Sequence, residues 1–120
     1  MEVTDARGEH RPLVSQAFCS ALPVRYTSVS PSHWKPFASL ILEAAYEATM
    51  WAAMLNAQRD ASNVVLLTSL GGGAFGNDEN WIHSAMRRTV EMITEIDLNV
   101  RFVSYGMPSQ ALLQMAKDFD

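Results

Sequence analysis

The chain has 120 residues, of which 48% are hydrophobic and 18% are charged. This composition indicates one globular domain and excludes a disordered chain. The formal net charge is −4, and no basic stripe is present, which argues against nucleic acid as the main partner because that binding depends on Lys and Arg displacing counterions.

Cysteine content and hydropathy indicate where the chain acts. Cys19 is the only cysteine, which excludes an intrachain disulfide and predicts a reducing, cytoplasmic location. The sequence does not show the pattern of a secretory signal, which is a positively charged start followed by an apolar stretch. Secretion as an effector stays open. The longest apolar region, residues 40–55, is interrupted by Glu43 and Glu47, so we expect no membrane span.

The first half of the chain predicts a tail, a strand and a helix. Residues 1–12 are polar and read as a tail or linker, and residues 13–19 suit a strand. A helix is expected to begin near Lys35 and Pro36, since proline is tolerated in a first helical turn. Its predicted buried stripe consists of Phe37, Leu40, Ile41, Ala44, Ala45, Ala48, Ala52 and Leu55. A second apolar face, which another element is expected to cover, carries Tyr46, Met50, Trp51 and Met54.

The second half alternates strands and helices. Residues 63–68 are expected to form a strand, because the continuous apolar run from Val64 to Leu67 is typical of a parallel strand buried on both faces. We expect a helix over residues 78–95, a strand over 100–105 and a terminal helix over 109–119. The order β-α-β-α-β-α predicts an α/β fold over residues 13–120, with three α/β/α layers and a mostly parallel sheet.

A glycine-rich loop joins the apolar strand to the following helix. Four of the six residues from Gly71 to Gly76 are glycine, and the loop lies at the carboxyl end of a strand, where open α/β sheets bind ligands. Successive N–H groups without side chains can converge on phosphate oxygens beside a helix N-terminus. A simple chain reversal is the alternative. Phe75 could pack on a ribose or base, or fill the core beneath the loop, and Asn77 or Asp78 suits the helix N-cap.

The same loop also satisfies the dinucleotide fingerprint G-x-G-x-x-G with Gly71, Gly73 and Gly76. Two features count against that interpretation. The helix is expected to begin after the glycines, and the next strand ends in Ser104 and Tyr105 with no acid for a ribose hydroxyl. A Walker loop is excluded because no Lys-Ser or Lys-Thr follows the glycines.

The sequence resembles a known family most closely around this loop. Residues 65–77, followed by Trp81 and Ile82, resemble the second phosphate loop of macrodomains. The pattern is most similar to a divergent branch related to bacterial effector macrodomains that remove ADP-ribose from proteins. Blocks at residues 16–24, 42–49 and 103–106 fit the same branch, and the resemblance covers about residues 14–108.

The resemblance implies binding of ADP-ribose or an ADP-ribosylated protein, with ADP-ribose as ligand and no separate cofactor. The pyrophosphate would lie between two loops, with residues 19–24 on the opposite wall and an aromatic ring near the distal ribose. The ligand-binding residues implied are Gly71, Gly72, Gly73, Ala74, Phe75, Gly76, Asn77, Tyr105 and Gly106.

The chain departs from the family in lacking its earlier half. That half carries the acid that binds adenine, the residues that handle the scissile ribose and one strand of the sheet. The chain therefore resembles only the C-terminal half of a macrodomain, as a truncated gene product, a shrunken descendant, or a domain whose sheet a second chain or oligomer completes. An ADP-ribosyl hydrolase would need the missing half, and its catalytic residues are unknown. An NAD-type oxidoreductase domain and an inactive remnant acting in protein interaction are the alternatives.

Other polar residues predict structural roles. His10, His33 and His83 lack metal-ligand spacing, so we expect no metal site. Cys19 follows an apolar residue and is interpreted as an inert thiol. Two acid pairs, Glu43 with Glu47 and Asp78 with Glu79, are interpreted as surface and helix-dipole charges.

Overall fold

The computed structural model describes residues 13–119. A 3-10 turn at Val24–Tyr26 precedes helix α1 (Pro31–Gln58), strand β1 (Val64–Thr68), helix α2 (Glu79–Met92), strand β2 (Asn99–Val103) and helix α3 (Gln110–Asp118). The fold is mixed α/β, as predicted. The predicted tail, residues 1–12, lies outside the described residues.

The two strands are parallel neighbours in one sheet, and α2 connects them. The register pairs Val64 with Asn99 at one end and Thr68 with Val103 at the other. Because the strands run in the same direction, their carboxyl ends share one edge of the sheet. The glycine loop and the turn after β2 both leave from this edge.

Local sequence signals set the helix starts. The Asp78 side chain accepts a hydrogen bond from the Asn80 N–H at 2.8 Å, and the Ser109 hydroxyl accepts one from the Leu112 N–H at 3.2 Å. Each residue caps its helix by satisfying an N–H that lacks an intrahelical partner. Helix α1 begins at Pro31, earlier than the predicted Lys35–Pro36 start, because Pro31 itself occupies the first turn and Pro36 lies inside the helix.

The core lies on one face of the sheet. Val65 and Leu67 are buried there, whereas Leu66, on the opposite face of β1, is 59% exposed. The predicted burial of β1 on both faces is therefore wrong for the described residues, where the helices pack on the Val65 side. One hydrophobic cluster joins that side of the sheet to all three helices through residues that include Leu42, Ile82, Met86, Leu112 and Met115.

Helix α1 packs mainly through the face opposite to the predicted stripe, although Ala45 of that stripe is buried. Leu42, Tyr46 and Met50 are buried, whereas Phe37 and Leu40 of the predicted stripe are 50% and 58% exposed. Both faces of α1 are apolar, so helical spacing alone does not identify the packed one. Contacts with α2 settle the orientation, since α1 packs more extensively on α2 than on β1.

The predicted strand over residues 13–19 is not formed. Residues 14–23 are irregular, and Phe18 is 93% exposed, whereas Ala21 and Val24 further along are buried. A stable strand needs a ladder partner and an apolar face to bury, and β1 has β2 as its neighbour in the sheet. The order within residues 13–119 is therefore α-β-α-β-α.

Candidate functional site

The glycine loop begins where Tyr46 of α1 fixes the end of β1. The Tyr46 hydroxyl donates to the Thr68 carbonyl oxygen at 2.5 Å and accepts from the Leu70 N–H at 3.0 Å. Burial raises the pKa of Tyr46 to about 12, although the hydrogen bond from Leu70 acts in the opposite direction. The helix therefore sets the position from which the loop departs.

The burial of the Tyr46 hydroxyl predicts a pH effect on stability. The folded-state pKa of Tyr46 lies above the ordinary tyrosine value of 10.0, so the stability contributed by the neutral hydroxyl is complete below pH 10 and is lost as pH rises toward 12. We expect Tyr46 to account for about 2 to 3 kcal/mol of that alkaline loss of unfolding free energy. Urea unfolding from pH 8 to pH 12 should show a smaller alkaline loss for Tyr46→Phe.

The matched control is Tyr105→Phe, because Tyr105 is fully exposed. Its alkaline loss should equal that of the unaltered protein. Identical pH dependence in Tyr46→Phe would contradict the prediction. At neutral pH, Tyr46→Phe should also lower stability by about 1 to 3 kcal/mol, since the Leu70 N–H loses a partner.

Asn77 closes the loop from beneath. Its N–H donates to the Gly71 carbonyl at 2.9 Å, and its side-chain Nδ2 donates to the carbonyls of Gly71 at 3.1 Å and Leu22 at 2.8 Å. The residue is 4% exposed. Its Oδ1 has no hydrogen-bond partner within residues 13–119. The predicted ligand-binding Asn77 thus has its amide group directed into the protein, where it braces the loop.

Gly71 is required by the packing beneath the loop. Its φ is +76°, and a Cβ placed there would lie 2.4 Å from the Ala21 Cβ and 2.8 Å from the Asn77 Nδ2. Any side chain would therefore be strained in both backbone and contacts. Gly71 is where the segment before α1 meets the loop, so residues near Ala21 contact the loop directly.

The outer part of the loop is open. Residues 72–74 are exposed, and nothing lies within 4 Å of a Cβ placed on Gly73. Positive φ occurs at Gly71 and Gly76 rather than at Gly72 or Gly73. Among residues 13–119, no acceptor is hydrogen-bonded to the N–H groups of residues 71–75. Five successive amides therefore have no acceptor in the described chain, and three of them belong to exposed residues.

The Phe75 side chain packs against the core and against Tyr26. Its ring is partly buried against the core and meets the Tyr26 ring edge-on, with centroids 6.2 Å apart and planes at 80°. This arrangement is a favourable aromatic geometry. Phe75 therefore fills the base of the loop, and the 69% exposed Tyr26 is the more accessible ring of the pair.

Tyr105 and Gly106 follow β2 at the same edge of the sheet as the loop, as the parallel register requires. Tyr105 is fully exposed, and Gly106 has φ +84° with nothing within 4 Å of a Cβ placed on it. Within the described residues, no hydrogen bond or ring contact joins this turn to the glycine loop.

The defined cavities lie away from the loop. One of about 900 Å³ is lined by β2, α3 and the end of α2, including Phe102, Leu112 and Phe119. A smaller one of about 80 Å³ lies between α1 and α2 beside Met50 and Thr89. Neither includes a residue of 71–77, so the open amides lie outside both.

Three acidic side chains of the described residues cap a helix or lie near a basic side chain. Asp78 caps α2, Glu79 lies 3.5 Å from His83, and Glu47 lies 3.8 Å from Arg88. Within residues 13–119, no group of three or more His, Cys, Asp or Glu side chains is placed to hold a metal ion. The described part of the chain also contains no helix long and apolar enough to span a membrane.

Arg25 is the site residue that sequence reasoning missed. Its N–H donates to the Phe75 carbonyl at 2.9 Å, and a Cβ placed on Gly76 would lie 3.1 Å from its Nε. The two residues are far apart in the sequence, so no local pattern connects them. The Ser- and Pro-rich surroundings of Arg25 predict a loop but not its position.

Comparison of the chain with protein-family models, with curated proteins and with solved structures finds no significant match.

Proposed function

We propose that residues 71–76 bind the diphosphate of ADP-ribose or of a related nucleotide. The observation that carries this proposal is the row of five successive N–H groups, at residues 71–75, without acceptors in the described chain. Backbone N–H groups that lack a partner inside a protein normally bond to water or to a ligand, and the exposure of residues 72–74 leaves room for an anion at the middle of this row. The loop also follows the carboxyl end of a parallel strand, the usual place for ligands in α/β sheets.

The loop amides, rather than the N-terminus of α2, supply the positive potential in this proposal. Asp78 already caps α2 and accepts the Asn80 N–H, and its negative charge opposes a second anion at that end. Gly72 and Gly73 have no side chain between their amides and an incoming phosphate. Consecutive amides of this kind can bind anions in an acidic protein.

The fold that we propose is part of a three-layer, macrodomain-like arrangement. The support is the exposed face of the sheet, where Val64, Leu66 and Val103 are 38%, 59% and 42% exposed. Parallel sheets are normally covered on both faces. ADP-ribosyl hydrolase activity would need catalytic residues in addition to this loop, and none of the described residues is assigned a catalytic role. A reducing intracellular location stays a proposal based on Cys19.

Calorimetric titration of the protein with ADP-ribose tests the proposal directly. We expect saturable heat with a dissociation constant in the micromolar to millimolar range, because a loop outside an enclosed pocket buries little of its ligand. Absence of heat at millimolar ADP-ribose would contradict it. Saturable binding of NAD without binding of ADP-ribose would instead support the dinucleotide interpretation.

A second candidate function, protein interaction, is favoured by the outer face of α1. Phe37 and Leu40 lie toward one end of this face and Trp51 and Leu55 toward the other, and all four are at least half exposed. Exposed alanines at positions 44 and 48 separate them. A helix that is apolar on both sides is normally buried on both. We name this outer face the α1 stripe.

The α1 stripe has large side chains at both ends and small side chains in the middle, so it reads the same in either direction. A two-fold axis near its middle would place Phe37 of one copy against Leu55 of the other, with the small residues at the crossing. Such self-complementarity is what a two-fold dimer interface requires, and small central residues let two helix axes approach closely. We therefore propose a second copy of the chain as the partner of this surface.

Light scattering coupled to size-exclusion chromatography tests the dimer. We expect a concentration-dependent dimer that Leu40→Glu converts to monomer, because two buried carboxylates would then oppose association. The matched control is Leu113→Glu on α3, where Leu113 is 42% exposed. Leu113→Glu should still dimerise. A protein that stays monomeric at several hundred micromolar would contradict this second function.

A further inference from the structure

The residue beside the open amides that carries a full positive charge is Arg25. Its side chain lies against Gly76, since a Cβ placed on that glycine would come within 2.8 Å of the Arg25 Cβ and 3.1 Å of its Nε. The φ of Gly76 is +72°, so backbone conformation and Arg25 both favour glycine at this position. The Arg25 N–H bond to the Phe75 carbonyl at 2.9 Å fixes the residue to the loop.

The guanidinium of Arg25 is not neutralised by the described chain. Two other arginines form ion pairs, with Arg87 3.0 Å from Asp118 and Arg88 3.8 Å from Glu47. Within residues 13–119, no carboxylate lies within ion-pair distance of Arg25, and its side chain makes no hydrogen bond. The arginine is exposed and therefore accessible to a ligand.

The segment that carries Arg25 is held in place on both sides. The Thr27 hydroxyl donates to the Val24 carbonyl at 3.1 Å and accepts from the Trp34 Nε1–H at 2.9 Å. Val24 is 3% exposed, so the 3-10 turn is anchored in the core. Because the backbone of this segment is already ordered, binding through Arg25 restricts mainly its own side chain, which lowers the entropic cost of binding.

We propose that Arg25 binds the second phosphate of a ligand whose first phosphate lies on the amides of residues 71–75. This inference rests on the proposed function of the loop and specifies its ligand class as diphosphates rather than monophosphates. A guanidinium matches phosphate geometry with two parallel hydrogen bonds, whereas a row of amides surrounds one phosphate group. Arg25 is therefore the residue that determines selectivity for two phosphates.

The experiment compares ADP-ribose, ADP and AMP by calorimetry on the unaltered protein, Arg25→Gln and Arg25→Lys. We expect Arg25→Gln to lower the affinity for ADP-ribose and for ADP by about 10- to 100-fold, as loss of a charge-assisted hydrogen bond does. The affinity for AMP should fall by much less. The affinity of Arg25→Lys for ADP-ribose and ADP should lie between those of the unaltered protein and Arg25→Gln, because lysine keeps the charge but cannot form two parallel hydrogen bonds. The matched control is Arg101→Gln, on strand β2, which should bind all three ligands normally.

The outcomes separate this inference from the proposed function. If the unaltered protein binds ADP-ribose and prefers ADP to AMP, and Arg25→Gln keeps both properties, the role of Arg25 is overturned while the loop site stands. If the unaltered protein binds none of the three ligands, the proposed function itself fails. Thermal unfolding of Arg25→Gln should match that of the unaltered protein, since the backbone bond to Phe75 is kept.

Discussion

Gly73→Val is expected to leave the protein folded and to abolish its binding of ADP-ribose. A Cβ at position 73 meets nothing within 4 Å, and no positive φ requires glycine there. The fold alone therefore does not explain this glycine. A branched side chain would cover the amides of the loop and keep a phosphate from approaching. Calorimetry with ADP-ribose measures the loss.

Two further measurements make this prediction decisive. Urea unfolding of Gly73→Val should agree with that of the unaltered protein within about 0.5 kcal/mol, as expected for a surface change. The matched control is Ala61→Val, an exposed position before β1, which should bind ADP-ribose normally. A folded Gly73→Val protein with unchanged affinity would show that these amides do not hold the ligand.

Gly71→Val is expected to have the largest effect on stability. The new Cβ would overlap Ala21 at 2.4 Å and the Asn77 amide at 2.8 Å, and φ is +76°. Strain of the backbone and overpacking together predict a loss of roughly 2 to 5 kcal/mol of unfolding free energy. Urea unfolding measures it, and Gly73→Val serves as the same substitution two residues further along.

The contrast between the two glycines is the critical result. A loss below about 0.5 kcal/mol for Gly71→Val would mean that the loop can rearrange away from Ala21. The bracing by Asn77, which relies on the Gly71 carbonyl, would then not determine the shape of the loop. Such an outcome would also weaken the case that five amides are held in one arrangement.

Local signals in the sequence predicted most of the secondary structure. Residues 63–68 and 100–105 contain β1 and β2 to within two residues, and Asp78 caps α2 as expected. These elements have continuous apolar runs or caps that act over a few residues. The strand over 13–19 failed because a strand depends on a partner elsewhere in the chain. The prediction of the packed face of α1 was wrong because Leu40 and Leu42, on different faces of the helix, are equally apolar.

The position of the glycine loop was predictable from the sequence, but the contacts that shape it were not. The glycines located the loop, since few residues tolerate its backbone, and the parallel strands located the edge on which it lies. Contacts between distant segments decided the rest. Asn77 bonds to the Leu22 carbonyl, Phe75 meets Tyr26, and Arg25 lies on Gly76. None of these pairs is marked by a local sequence pattern. The inward orientation of Asn77 and the position of the Arg25 charge beside the loop are therefore evident only from the structure.

The bond between Asn77 and Leu22 joins residues 55 positions apart, with α1 and β1 between them. Closing a chain segment of that length lowers the entropy of the chain before the new contact can stabilise it. We therefore expect such distant contacts to form late in folding. The helix and strand must assemble before the loop acquires its shape. We expect the glycine loop to be among the last parts to order during folding and among the first to open by local unfolding.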